Sequence, residues 1–125
     1  MKIMIVDNDD IVRFLFKKQL MKMRACDIVE ASNGYDALAK MKEEKPDLLV
    51  LDLNMPKVGG VEVLQSLRRH PEFKTIPVVI LSSTDDKEVI KQQIILGISD
   101  YILKPVDIKP ASERIFKALG IDATT

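Results

Sequence analysis

Pro46-Asp47-Leu48-Leu49-Val50-Leu51-Asp52-Leu53-Asn54-Met55-Pro56-Lys57-Val58-Gly59-Gly60 is the stretch on which the fold turns. Its run 48–51 is unbroken and apolar, follows a proline and is too short for a helix. That pattern suits a strand buried on both faces, as in a parallel sheet. The run delivers one carboxylate, Asp52, at its carboxyl end, and Pro56, Gly59 and Gly60 mark a loop beyond it. Reactive groups in open parallel sheets gather at the carboxyl ends of the strands. The other segments should therefore supply whatever accompanies Asp52 there.

Upstream, 3–6 reads as a first buried strand ending in Asp7-Asn8-Asp9-Asp10. Asp10 is the expected N-cap of a helix carrying Val12, Phe16, Leu20 and Met23 at helical spacing. Segment 26–31 is a second, more polar strand, suited to a sheet edge. Ser32-Asn33-Gly34 then turns the chain into a helix with Ala37, Leu38 and Met41 on one face, which must stop before Pro46. Downstream, Val61, Leu64 and Leu67 mark a third helix, finished around His70-Pro71. Segment 76–81 is a fourth apolar strand, ending in Ser82-Ser83-Thr84. Thr84 or Asp85 is the expected cap of a fourth helix, with Val89, Ile90, Ile94 and Leu96 as its apolar stripe and Gly97 as its stop. Segment 99–103 is the fifth strand, closing on Lys104-Pro105. Asp107 caps the last helix, Pro110 falls in its first turn, and Ile115, Phe116 and Leu119 form its apolar face.

Five strands alternating with five helices argue for an α/β fold, a doubly wound five-stranded parallel sheet with helices on both faces. Right-handed crossovers leave few topologies, and the order 2-1-3-4-5 is the one expected. It makes strands 1 and 3 neighbours, so that Asp7 and Asp52 meet.

The 125 residues suit one domain spanning 1–125, with no linker or output module in sight. Nineteen basic residues balance nineteen acidic ones, which excludes a large basic field for nucleic acid. The single cysteine, Cys26, cannot form an internal disulfide, and a reducing cytoplasm is the simplest setting. It reads as a small core residue, and His70 as an exposed helix end. No apolar run approaches the roughly 20 residues of a membrane span, so membrane insertion is not expected.

Four strand ends point polar groups at one crevice: Asp7-Asn8, Asp52, Ser82 and Lys104. Two adjacent carboxylates repel unless a proton or a cation sits between them. A hard divalent ion such as Mg²⁺, which takes one or two carboxylates and keeps several waters, is the natural occupant. A lysine and a serine hydroxyl nearby suit a tetrahedral oxyanion such as a phosphoryl group. A carboxylate placed there can act as a nucleophile and become an acyl phosphate.

With these residues the chain resembles the receiver domain of bacterial two-component response regulators, over nearly its whole length. The markers are the acidic start after strand 1, Asp52 followed by Asn54-Met55-Pro56 and Gly60, Ser82, and Lys104-Pro105, spaced 82 − 52 = 30 and 104 − 82 = 22 residues apart. The family has the flavodoxin-like (βα)5 sandwich with the same 2-1-3-4-5 order, so topology and resemblance are not independent. The resemblance implies that Asp52 is the phosphoacceptor for a histidine kinase or phosphotransfer protein. It implies that Asp7 and Asp52 hold Mg²⁺ with the Asn54 backbone carbonyl, that Ser82 hydrogen-bonds the phosphoryl oxygens, and that Lys104 pairs with them. It further implies a cis Lys104-Pro105 bond, a switch role for Tyr101, and a downstream partner on the face of helix 4, strand 5 and helix 5, over 85–119. Asn8 departs from the pattern: the family usually has a second acid there as a direct metal ligand. An asparagine oxygen can coordinate but brings no charge, so weaker Mg²⁺ binding and weaker phosphoryl acceptance are expected.

Bland readings stand beside these. Asp52 alone would pass as a turn aspartate, Asp10 as a solvated helix start, and Tyr101 as a strand aromatic with a surface hydroxyl. The stripe Val89, Ile90, Ile94 reads as core rather than partner surface. Among functions, a signalling switch rather than an enzyme leads. A receiver-like binding module without phosphate is the alternative that Asn8 allows. An aspartyl-phosphate phosphatase of the dehalogenase type wants an acid where Asn54 stands, and asparagine cannot transfer protons. A flavin-binding protein would want a phosphate-cradling loop after strand 1, where the chain has acids.

Overall fold

The computed structural model describes residues 1–56 and 58–122. Its elements run β1 (Lys2–Val6), α1 (Asp10–Met23), β2 (Asp27–Ala31), α2 (Gly34–Glu44), β3 (Leu48–Asp52), α3 (Gly60–Arg69), β4 (Val78–Ser82), α4 (Lys87–Ile95), β5 (Asp100–Leu103) and α5 (Ile108–Ala118). The sheet is parallel throughout and ordered β2-β1-β3-β4-β5, as the pattern of apolar runs implied. The most polar strand, β2, lies at one edge.

Every residue of β3 and β4 is buried, because helices cover both faces of the central strands. Alternate residues serve alternate layers. Met4, Val6, Leu49, Leu51, Val78 and Ile80 pack with Ala37 and Met41 of α2 and Val63, Leu64 and Leu67 of α3. Ile3, Ile5, Leu48, Val50, Val79 and Leu81 pack on the other face with Phe16 and Leu20 of α1 and Ala111, Ile115 and Phe116 of α5. In α3 the deeply buried position is Val63, and Val61 is only half-buried.

Two caps differ from the sequence expectation by one or two residues. Asp9, not Asp10, caps α1: its backbone is extended and its carboxylate accepts from the N–H of Ile11 and Val12. Asp86, not Thr84 or Asp85, caps α4 by accepting from Glu88 and Val89 N–H. In both cases runs of capping residues offer several starts, and the one whose oxygen reaches the second and third helical N–H groups takes the position. Asn33 caps α2, which ends at Lys45 with φ 46°, just before Pro46.

A larger correction concerns α4. Its only fully buried residue is Gln93, Val89 and Ile90 are half-buried, and Ile94 and Ile95 are 60% and 83% exposed. The stripe read as core is therefore only partly buried, with Leu96 packed against the core and Ile94 facing solvent. The helix is instead held at its C-terminal end by Arg68 of α3. That guanidinium donates to the carbonyls of Leu96 (2.7 Å) and Gly97 (2.8 Å), and to Phe73 (3.2 Å) and Ile76 (2.8 Å) in the loop before β4. Four carbonyls occupy the planar fork, a task a lysine ammonium could not perform.

At the far edge, Asp100 of β5 and Arg114 of α5 form a bidentate pair at 2.6 and 2.7 Å. Burial pushes the Asp100 carboxyl up, but hydrogen bonds from Arg114 and from Tyr101 N–H outweigh it and hold the group below its ordinary value of 3.8. A depressed folded value means that the pair stabilises above the unfolded pKa and loses its effect as pH falls through the folded one. Asp100→Asn should cost about 0.5–1 kcal/mol at neutral pH. The difference in urea midpoint from wild type should narrow once the pH drops below the normal aspartate range; a constant gap down to pH 2 would contradict this.

Candidate functional site

Parallel register brings the four strand ends level. Val6 pairs with Leu51, Asp52 with Leu81, and Ser82 with Leu103. The next residues continue the ladder: Asp7 N–H donates to Ala31 O (3.1 Å) and Lys104 N–H to Ser82 O (2.8 Å). Asp7, Asp52 and Ser82 are 2%, 1% and 0% exposed. Three polar side chains are thus held in the sheet's own rigid frame at its carboxyl edge.

Asp52 Oδ1 accepts from Lys104 Nζ at 2.8 Å and from Asn54 N–H at 2.9 Å. Asp7 Oδ1 accepts from Asp9 N–H at 2.8 Å. The second oxygen of each carboxylate, Asp7 Oδ2 and Asp52 Oδ2, is buried without a hydrogen-bond partner. Burial pushes the Asp7 carboxyl above its ordinary value and the neighbouring Asp52 charge adds to this, while Asp9 N–H and Lys104 pull the other way. Two buried like charges facing one lysine leave negative charge uncompensated.

That deficit fits a divalent cation. Asp7 and Asp52 would hold it through the oxygens that no donor occupies, and it would supply charge neutralisation at a phosphoryl group. Among the described residues no three His, Cys, Asp or Glu side chains converge, so a cation here would keep most of its ligands as water. Asp9 commits one carboxylate oxygen, Oδ1, to capping α1 and lines the same side of the site.

Beside Asp7 and Lys104 opens a cleft of ≈ 600 Å³, lined also by Asn8, Asp9, Val12, Leu15, Pro105, Val106 and Ile108. Asn8 is exposed and sits on this cleft. Lys104-Pro105 is cis, as the resemblance implied. Ser82 Oγ accepts from Thr84 N–H at 3.2 Å and makes no contact with Asp52. Tyr101 packs half-buried against the core, and its hydroxyl donates to Thr84 O at 2.9 Å. It is not the surface hydroxyl of the bland reading.

Residues 3–116 match the model of the response regulator receiver domain family. The chain belongs to that family. One relative is the probable C4-dicarboxylate response regulator DctR of Bacillus subtilis, 33% identical over 94% of this chain but only 50% of its own length. This receiver thus spans about half of that regulator. Another is chemotaxis protein CheY1 of Helicobacter pylori, 27% identical over 96% of this chain and 98% of its own. Among solved structures, the phosphorylated cyanobacterial phytochrome response regulator RcpA is 29% identical with a TM-score of 0.79, covering 92% of this receiver and 93% of its own chain. Receivers are signalling modules of two-component systems that generally bind Mg²⁺ at the acidic pocket and work between histidine kinases and downstream effectors.

Of the residues singled out in the sequence, Asp7, Asp52 and Lys104 come together directly, and Ser82 ends the neighbouring strand. Asn54 brings its N–H to Asp52, but its side chain goes elsewhere: Oδ1 accepts from Ser83 N–H (2.9 Å) and Ser83 Oγ (3.2 Å). Sequence reading missed that contact, because Ser83 stands 29 residues away on another strand's loop. It also missed Arg13, which donates to the Asp7 carbonyl and to Asp10 and ties both to Glu30 at 3.2 Å. Nothing in the spacing of Arg13 and Glu30 advertises the pair. Cys26 is half-buried, with burial raising its thiol. His70 caps α3 and lies 4.8 Å from the Phe73 ring.

Proposed function

We propose that this chain, 1–125, is a phosphorylatable receiver in which Asp52 accepts a phosphoryl group from a histidine kinase or phosphotransfer protein. The observation that carries the reading is the Asp52 carboxylate itself. It is buried, one oxygen is fixed by Lys104 and Asn54, the other is unpartnered, and its charge is felt by Asp7. The free oxygen attacks phosphorus, the bond from phosphorus to the donor breaks, and its electron pair leaves with the donor. The product is an acyl phosphate on Asp52. Lys104 stays charged and shifts its pairing to the phosphoryl oxygens, and Ser82 donates its hydroxyl to them. Asp7, Asp52, the Asn54 carbonyl and the Asn8 side chain are the proposed ligands of Mg²⁺.

The donor approaches through the cleft between α1 and the β5–α5 loop. Its lining is apolar at Val12, Leu15, Val106 and Ile108. The output face is that of α4, β5 and α5, where α4 exposes Ile94 and Ile95 and β5 exposes Leu103. Exposed apolar residues in a group mark an interaction surface. Tyr101 links this face to the site through Thr84. Nothing here calls for nucleic acid, and among the described residues no helix is long and apolar enough to cross a membrane. We place the protein in the cytoplasm, acting as a switch and not as an enzyme.

Intact mass after incubation with acetyl phosphate and Mg²⁺ tests the proposal. Wild type should gain one labile phosphoryl and Asp52→Asn none; equal gain by both would overturn it. Asn8 favours a second reading, a receiver-like module working without phosphate, because it brings no charge where the family usually has an acid. Asn8→Asp should therefore tighten Mg²⁺ binding about tenfold, read by titration of amide NMR shifts. Equal affinities would show that the asparagine costs the site nothing.

A further inference from the structure

We infer that Asn54 and Ser83 form a positioning latch that sets the spacing between the Asp52 carboxylate and the Ser82 hydroxyl. The inference rests on the phosphoacceptor reading above and deepens it. Asn54 is bonded in two directions. Its N–H holds Asp52 Oδ1 at 2.9 Å, and its side-chain Oδ1 takes two hydrogen bonds, from Ser83 N–H at 2.9 Å and Ser83 Oγ at 3.2 Å. Ser83 adjoins Ser82, whose own Oγ is occupied by Thr84 N–H at 3.2 Å. One residue therefore spans from the nucleophile on the β3 side to the hydroxyl-bearing loop on the β4 side.

The loop needs such a tie. β3 and β4 pair only as far as Asp52 opposite Leu81, followed by Leu53 N–H to Leu81 O at 2.9 Å. Beyond that ladder, among the described residues, Asn54 makes the side-chain hydrogen bonds from the β3 loop to the segment after Ser82. On the other flank, the same segment is held by Tyr101 through Thr84 O, at 2.9 Å. Asn54 and Tyr101 thus hold the β4–α4 loop from opposite sides. Misplacement of a reacting group by about 1 Å can cost as much as 10²-fold, so a tether here acts on rate. Both partners are exposed, so a purely stabilising pair would contribute little to folding.

The test measures the rate of Asp52 phosphorylation from acetyl phosphate at saturating Mg²⁺, together with amide hydrogen exchange of Ser83 in the same proteins without phosphate. Ser83→Ala keeps the backbone bond and should slow phosphorylation about threefold, whereas Asn54→Ala loses both bonds and should slow it about tenfold. Ser83→Thr restores the hydroxyl and should recover most of the rate. The double variant should be no slower than Asn54→Ala, because the two residues act as one unit. Ser83 N–H should exchange about tenfold faster in Asn54→Ala. Unchanged exchange in that variant would overturn the latch itself. Wild-type rates in both single variants, or fully additive losses, would overturn its role in positioning. A wild-type chain that takes up no phosphoryl would instead overturn the phosphoacceptor reading, and the catalytic role of the latch with it.

Discussion

With methionine in place of Lys104, phosphoryl uptake by Asp52 is expected to fall about hundredfold, the scale seen when one preorganised charge-stabilising donor is removed. Two further consequences run in different directions. Lys104 Nζ lies 2.8 Å from Asp52 Oδ1, and Asp52 is 1% exposed. Without the ammonium, two buried carboxylates face each other with no cationic side chain in contact. Removing one partner of a buried pair costs about 3 kcal/mol, so the Mg²⁺-free protein should unfold at distinctly lower urea. Mg²⁺ affinity should rise, because a competing positive charge has left the pocket. Adding Mg²⁺ should then return part of the lost stability by mass action. Slower transfer with tighter metal binding is the signature expected of Lys104→Met. A loss of both together, or of neither, would contradict the electrostatic account.

Gly60→Ala is the second large effect, and it acts through space rather than charge. Gly60 opens α3, directly under the loop that follows Asp52. A Cβ there would lie 2.5 Å from the Asp52 carbonyl oxygen and 2.8 Å from Leu53 Cα. Both are backbone atoms of the strand end, so neither can rotate away. Alanine in a helix gains up to about 1 kcal/mol over glycine. Forcing the strand end and the helix start apart should outweigh that and leave a net loss of about 2–3 kcal/mol. The displaced atoms belong to Asp52 and Leu53, so phosphorylation should fall as well. Gly59→Ala serves as the control. Its nearest neighbour is the Glu62 carboxylate at 3.0 Å, the end of a flexible side chain, and its cost should stay below about 1 kcal/mol. Equal denaturant midpoints for the two variants would refute the close-approach argument.

The site was legible in the sequence to the extent that a parallel sheet fixes it. Buried strands announce themselves as apolar runs, and the residue that ends each run must emerge at the same edge. Asp7, Asp52, Ser82 and Lys104 could therefore be assigned to one place before any coordinate was known. The helix starts were less legible. Asp9 against Asp10, and Asp86 against Thr84 and Asp85, differ only in which oxygen reaches the second and third N–H groups, and composition does not encode that. Arg68 was invisible for another reason. A cation near a helix end looks solvated, and its carbonyl partners at Leu96 and Gly97 are 28 and 29 residues away.

The misreading of α4 has a related cause. Periodicity reports that Val89, Ile90 and Ile94 share a face, not what covers that face. In the fold, α4 lies beyond β4 near the sheet margin, and the core is completed without its apolar residues. The only fully buried side chain it contributes is polar, Gln93, and the Oε1 of that residue has no partner. Such a helix buries little apolar surface, which suits the responsive role that the proposed function gives it.

Chemical trapping shows whether Asp52 becomes an acyl phosphate. The protein is phosphorylated with acetyl phosphate and Mg²⁺, reduced with borohydride, digested, and the peptides are read by mass. Borohydride converts an aspartyl phosphate to homoserine. Homoserine is expected at position 52 and nowhere else, dependent on both donor and Mg²⁺. Homoserine at Asp7 or another aspartate, or none at all in protein that has gained a phosphoryl group, would contradict it.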